Sequence, residues 1–155
     1  MAEELDEIDR AIIQDLQIDG RRPFREIARS LSIAEGTVRA RVKRLQASGV
    51  LSIVAFVDPM RLGQYRLSLL LVKIDPHERD SVVSALSSRD DVSYLSSALG
   101  ITDLLVEFVA QDEHGRSDFV NGVVRSLPGV LSVEVISIVE THKILYRLPK
   151  SGADS

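Results

Sequence analysis

Cysteine and tryptophan are both absent from this 155-residue chain. The lack of cysteine excludes disulfide frameworks, cysteine-based zinc sites and thiol nucleophiles. Aromatic residues make up only 5%, so a core has to be built from Leu, Ile and Val. No apolar run approaches the roughly eighteen residues that span a bilayer. The acidic opening Met1-Ala2-Glu3-Glu4 lacks the basic and apolar regions of a secretory leader, which leads to the expectation of a cytoplasmic protein. The residues present are 45% hydrophobic and 27% charged, the composition of an ordinary globular protein with room for one large domain or two small ones.

Charge is scarce as a sum and concentrated in place. The formal net charge is −4, yet residues 1–19 sum to −6, residues 20–50 to +6, and the remainder to −4. A block of eight Arg and Lys against two acids inside an otherwise acidic molecule calls for an anionic partner.

The pattern along that region is helical. Leu5, Ile8, Ile12 and Leu16 recur at helical spacing, with Ile13 widening the stripe, until Asp19-Gly20 closes a first helix. Pro23 suits the first position of a second, two-turn helix carrying Phe24, Ile27, Ala28 and Leu31 on one face. A third is expected from about Ala34 to Ser48, with Val38, Val42 and Leu45 inward and Gly49 as its terminator. Helix, tight break and helix, with a supporting helix before them, is the helix-turn-helix arrangement whose second member enters the major groove. At roughly 100° per residue, Gly36, Thr37, Arg39, Ala40, Lys43 and Arg44 face outward.

From Val50 the period becomes two. Leu51, Ile53, Ala55 and Val57 alternate with Ser52, Val54 and Phe56 until Asp58-Pro59 ends an expected linking strand. Strands follow at 66–74, 92–99, 103–110 and 130–139, with helices at 77–88 and 113–126 and a last short strand at 142–147. That order is βαββαβ, the ferredoxin-like split unit. The two halves resemble each other, with turns before valine at Arg89-Asp90-Asp91-Val92 and Leu127-Pro128-Gly129-Val130. The fold class is therefore α+β: a winged helix-turn-helix unit at 1–50, a linking strand and hinge at 51–65, a ferredoxin-like sandwich at 66–148 and a flexible tail at 149–155.

The strands are apolar on both faces. Leu67, Leu69 and Leu71 alternate with Leu70, Val72 and Ile74; Leu105 and Val109 with Leu104, Val106 and Phe108; Ile136 and Ile138 with Val133 and Val135. Helices cover one face of such a sheet. Leaving the other wet forfeits about 25 cal/mol per Å² of apolar area and invites aggregation, so a homodimer formed through the sheets is expected.

Over Leu5 to about Leu148 the chain resembles the Lrp/AsnC (feast/famine) family of transcriptional regulators. The resemblance rests on Leu5-Asp6-Glu7-Ile8-Asp9, Leu16-Gln17-Ile18-Asp19-Gly20-Arg21, Glu26-Ile27-Ala28, Thr37 through Leu45, Gly49-Val50-Leu51 and Leu127-Pro128-Gly129-Val130. It implies a DNA-binding N-terminal domain and a C-terminal domain of RAM type that binds effectors and assembles dimers into tetramers, octamers or larger rings. It also implies an amino-acid site near a Gly-x-x-Asp loop, here Gly100-Ile101-Thr102-Asp103. Two departures stand out. The residue before the acid, often aromatic in relatives, is Thr102, and a Gly-Leu-Ser run before the recognition helix is replaced by Ser32-Ile33-Ala34.

The candidate DNA-contacting residues are Arg22, Gly36, Thr37, Arg39, Ala40, Lys43 and Arg44. Gly36 costs a helix about 1 kcal/mol relative to alanine but lets the backbone approach DNA, and Thr37 suits a phosphate or a thymine methyl. Arg21 and Arg22 precede the second helix, where backbone phosphate contact and simple solvation are both open. Arg41 lies near the edge of the buried stripe, where packing of its stem and a contact with DNA are both open. Gly100 and Asp103 suit a tight hairpin; under the resemblance, loop amides and a carboxylate cradle a small zwitterion. His77, His114 and His142 have no metal-ligand spacing, and no nucleophile elbow, phosphate loop or dinucleotide fingerprint occurs. No catalytic residue, metal or cofactor is expected. The alternative is a sirohaem-decarboxylase-like enzyme on the same two-domain architecture, which needs no cationic recognition helix.

Overall fold

The computed structural model describes residues 4–63 and 65–144. These fall into two compact units, one of residues up to Phe56 and one of Val57–Ile144.

The first unit has three helices: α1 Glu7–Ile18, α2 Phe24–Ser30 and α3 Glu35–Ala47. A capping box starts α1. The Asp9 amide donates to the Asp6 carboxylate at 2.8 Å, and the Asp6 amide donates back to Asp9 at 3.3 Å, which satisfies amides that the helix itself leaves without acceptors. Pro23 is the N-cap of α2 rather than its first residue, and Ala34 caps α3 without a side-chain hydrogen bond. The turn between them places Ser32 at φ 55, and Gly49 leaves α3 at φ 75. Ile12, Ile27, Val38 and Leu45 are fully buried at the centre of this unit, with Val42, Leu16, Ile13, Ala28 and Leu51 around them. Each such side chain contributes about 1.5–3 kcal/mol relative to exposure.

Residues 51–58 are without regular structure, so the expected linking strand and wing are not formed among the described residues. Leu51 is buried in the first core, whereas Ile53, Val54, Phe56 and Val57 are exposed. A strand exists only as part of a ladder, and no described strand pairs with this segment.

The second unit contains β1 Arg66–Ile74, α4 Arg79–Ser87, β2 Val92–Ser97, β3 Leu104–Ala110, α5 Glu113–Ser117 and β4 Val130–Ser137. All pairings are antiparallel, in the order β2-β3-β1-β4, so the expected βαββαβ connectivity is present. The expected helix at 113–126 is a composite. After α5 the run widens to π pitch over Asp118–Val123 and tightens to a 3-10 turn over Val124–Ser126. Of the strand expected at 142–147, residues 142–144 are unpaired, while 145–147, like the tail at 149–155, lie outside the described residues.

Leu70, Val72, Leu104, Val106 and Phe108 are fully buried with Val82 and Leu86 of α4 and with Val124. Phe108 stacks on Phe119 with centroids 4.1 Å apart. The register places Leu69 opposite Glu107 and Ile136, and Leu71 opposite Leu105 and Glu134. The second face is thus apolar along its centre but includes two carboxylates, which the alternation of Leu and Val alone did not indicate. Glu107 accepts a hydrogen bond from the Ser93 hydroxyl at 2.7 Å.

Candidate nucleic-acid interface and effector loop

Helix α3 buries Val38, Val42 and Leu45 against α1 and α2, and this leaves Gly36, Thr37, Arg39, Ala40, Lys43 and Arg44 exposed as the helical wheel requires. A Cβ at Gly36 would meet nothing within 4 Å, so the position is open towards solvent.

The cations differ in how they are held. Arg39 donates to Glu35 at 2.7 Å, one turn back, and lies over the Phe24 ring at 5.5 Å. This ties the exposed end of α3 to α2. Lys43 has no ion pair among the described residues. Arg44 donates to Asp9 at 2.5 Å and keeps about half of its side-chain surface exposed. Arg41, left open between stem packing and DNA contact, donates to Asp6 at 2.6 Å and to Asp9 at 2.8 Å. Arg22 is drawn to Asp15 at 2.5 Å, so part of its charge is spent inside the unit.

Asp9 was not singled out in the sequence, although the signal was there. It lies three, four and seven positions before Ile12, Ile13 and Leu16, on the buried stripe of α1, and is 1% exposed. A carboxylate buried there has to be paired. Burial pushes its pKa up, but hydrogen bonds from Arg41 and Arg44 outweigh that and hold it below the usual aspartate value. Asp6 is also held low, by the Asp9 amide and then by Arg41. Arg25 and Arg29 were missed as well. They are exposed on α2, four residues apart and opposite Ile27 and Ala28, with no ion pair among the described residues.

In the second unit the Gly-x-x-Asp loop joins β2 to β3. Gly100 has φ 128, and its neighbours Leu99 and Ile101 are almost wholly exposed. Thr102 points inward. It is 5% exposed, and its hydroxyl lies 2.9 Å from the carbonyl oxygens of both Val72 and Leu104. Asp103 accepts the Ile74 amide at 3.0 Å on one oxygen, and the ammonium of Lys73 stands 4.0 Å from the other. Lys73 also reaches the Gly100 carbonyl at 3.4 Å. Thr102 and half of the Asp103 carboxylate therefore serve the sheet, which leaves one carboxylate oxygen, Lys73 and the loop tip to meet a ligand. The histidines stand apart, with His114 3.3 Å from Asp118 and His142 3.8 Å from Glu140. Among the described residues no His, Asp and Glu group suited to a metal occurs, and no helix is long and apolar enough to cross a membrane.

A three-helix unit with an outward cationic helix, followed by a four-stranded ferredoxin-like unit, defines a helix-turn-helix regulator with a separate sensing domain. Residues 5–46 match the AsnC-type helix-turn-helix domain and residues 68–148 the Lrp/AsnC ligand binding domain. The chain belongs to the Lrp/AsnC family of transcriptional regulators. It is 34% identical over 146 residues to the HTH-type transcriptional regulator FL11 of Pyrococcus abyssi, covering 94% of this chain and 96% of that one. Its fold is similar to that of the leucine response regulatory protein LrpA of Mycobacterium tuberculosis, with a TM-score of 0.83, 23% identity, and coverage of 93% and 99%. It is also similar to that of the regulator NMB0573 of Neisseria meningitidis, solved as a complex with L-Met, with a TM-score of 0.78, 23% identity, and coverage of 94% and 97%.

Proposed function

We propose that this cytoplasmic, non-catalytic regulator reads double-stranded DNA with the outward face of α3. In this reading Gly36, Thr37 and Ala40 approach the bases, Arg39, Lys43 and Arg44 meet the backbone, and Arg22 stands at the flank. The observation that carries it is the placement of a cationic, small-residue helix face on a rigid three-helix core. The first turn of a recognition helix meets base edges, and that is where Gly36 and Thr37 lie. Residues 1–50 form the reading unit, 51–65 the hinge and 66–148 the assembling and sensing unit. The apolar second face of the sheet supports a homodimer, and dimers in turn support tetramers, octamers or larger rings.

A small effector, an amino acid in the first instance, binds at Gly100, Ile101, Thr102 and Asp103. The match to the family's ligand-binding domain supports this, as does the methionine bound by the Neisseria relative. Thr102 takes part through its backbone, because its hydroxyl is committed to the sheet. The Asp103 oxygen near Lys73 is placed for an ammonium and Lys73 for a carboxylate.

Binding of the full-length protein to its own upstream DNA tests the reading. With roughly four phosphates neutralised per subunit, log K against log salt falls with a slope near −7 for a dimer. Replacing Lys43 and Arg44 by glutamine makes that slope shallower; a slope that stays the same rules out α3 as the reading helix.

A further inference from the structure

The four cations of α3 are not equivalent, and the acids that sort them lie on α1. Arg41 is a quarter exposed and donates to both Asp6 and Asp9, so it is turned away from the outward face. Arg44 shares Asp9 with Arg41 but remains half exposed. Asp9 is itself fixed, since its carboxylate closes the capping box of α1 and is 1% exposed. A rigid buried anion thus holds one guanidinium inward and a second at a set place on the flank of the reading helix. A long arginine left to solvent samples many rotamers, all but a few of which are lost on binding. A phosphate contact fixes the register of a protein on a duplex only if the contact is itself held in place.

We propose that Asp9 is a positioning residue for DNA recognition: it presets Arg44 as a phosphate clamp and withdraws Arg41 from the interface. The inference rests on the assignment of Arg44 to the DNA-facing surface. It opposes the effect of charge alone, because removing an anion near DNA should tighten binding to every sequence.

The experiment uses the full-length protein, fluorescence anisotropy and two duplexes, one enriched by the protein itself from random DNA and the other its scrambled counterpart. D9N keeps the side-chain size and removes the charge. Its affinity for the enriched duplex should fall about tenfold, the scale of one lost preorganised contact, while affinity for the scrambled duplex holds or rises. In an R44A background D9N should cause no further loss of discrimination. D9N that strengthens or weakens both duplexes by the same factor, with a wild-type melt, overturns the proposal. Where D9N does not fold, R44K decides: it keeps the charge but loses the planar guanidinium that Asp9 holds in place, so a similar tenfold loss is expected and wild-type binding refutes the idea. R44A without effect on either duplex also overturns it, and attributes the failure to the placement of Arg44 in the interface rather than to Asp9.

Discussion

The carboxylate of Asp9 meets the guanidinium of Arg44 at 2.5 Å although the two residues are 35 positions apart, and Arg41 occupies the other oxygen at 2.8 Å. One buried acid in the first helix therefore holds two of the four cations of the third.

This arrangement makes the helical unit sensitive to acid. Asp6 and Asp9 both have lowered folded-state pKa values, so in the acid range the unfolded chain binds more protons than the folded one. Their stabilisation is complete above the ordinary aspartate value of about 4 and is lost as pH falls through the folded values. Thermal melts from pH 7 to 3 should show the helical transition falling in temperature from about pH 4 downward, and D9N should flatten that decline. A profile independent of pH in the wild type contradicts the assignment.

The turn before α3 carries strain that substitution should relieve. Ser32 sits at φ 55 and Ala34 caps the helix without a side-chain hydrogen bond. A left-handed non-glycine residue costs about 1–2 kcal/mol and a missing cap about 1 kcal/mol. Ser32→Gly and Ala34→Ser should each raise stability by about 1 kcal/mol in chemical denaturation.

Gly129 has the opposite constraint. Its φ is 87, and an added Cβ would lie 2.2 Å from the Cβ of Glu78, a carbon held by its backbone and unable to swing aside. The Gly129 carbonyl also accepts the Asp75 amide at 2.7 Å. Gly129→Ala combines backbone strain with overpacking and should cost about 2–4 kcal/mol, measurable as a lower midpoint in urea. An unchanged midpoint would place this turn elsewhere.

The second face of the sheet is open to the same kind of test. Leu71 lies there between Leu105 and Glu134, so Leu71→Glu adds a third carboxylate to a face that already holds Glu107 and Glu134. Sedimentation of the wild type should show a dimer or larger species at micromolar concentration, and the variant should sediment as a monomer with its circular dichroism retained. A variant that stays assembled excludes this face as the interface.

Much of this was legible from local pattern. The strand expected at 66–74 is Arg66–Ile74, and the helix expected from Ala34 to Ser48 is Glu35–Ala47 between those two residues as caps. Both stretches keep one period throughout and end in clear stop residues. Residues 51–57 alternate without forming a strand among the described residues, because alternation indicates only the capacity to pair and no described strand pairs with them. The helix at 113–126 was expected as uniform, yet its pitch changes twice along its length, and pitch follows from contacts that periodicity does not record.

The sequence by itself determined which residues could be inside and which unit would carry the positive charge, because periodicity and net charge are properties of neighbours along the chain. Only the tertiary structure decided how that charge is apportioned. It spends Arg22 on Asp15, joins Arg41 to Asp6 and Asp9, and binds Arg44 to Asp9 while leaving it exposed. It also turned Thr102 inward to the sheet and left Asp103 shared between the Ile74 amide and Lys73. The reason is physical: a buried polar group must find its partner wherever packing brings one within hydrogen-bond reach, and that distance is set by the fold and not by separation in the chain.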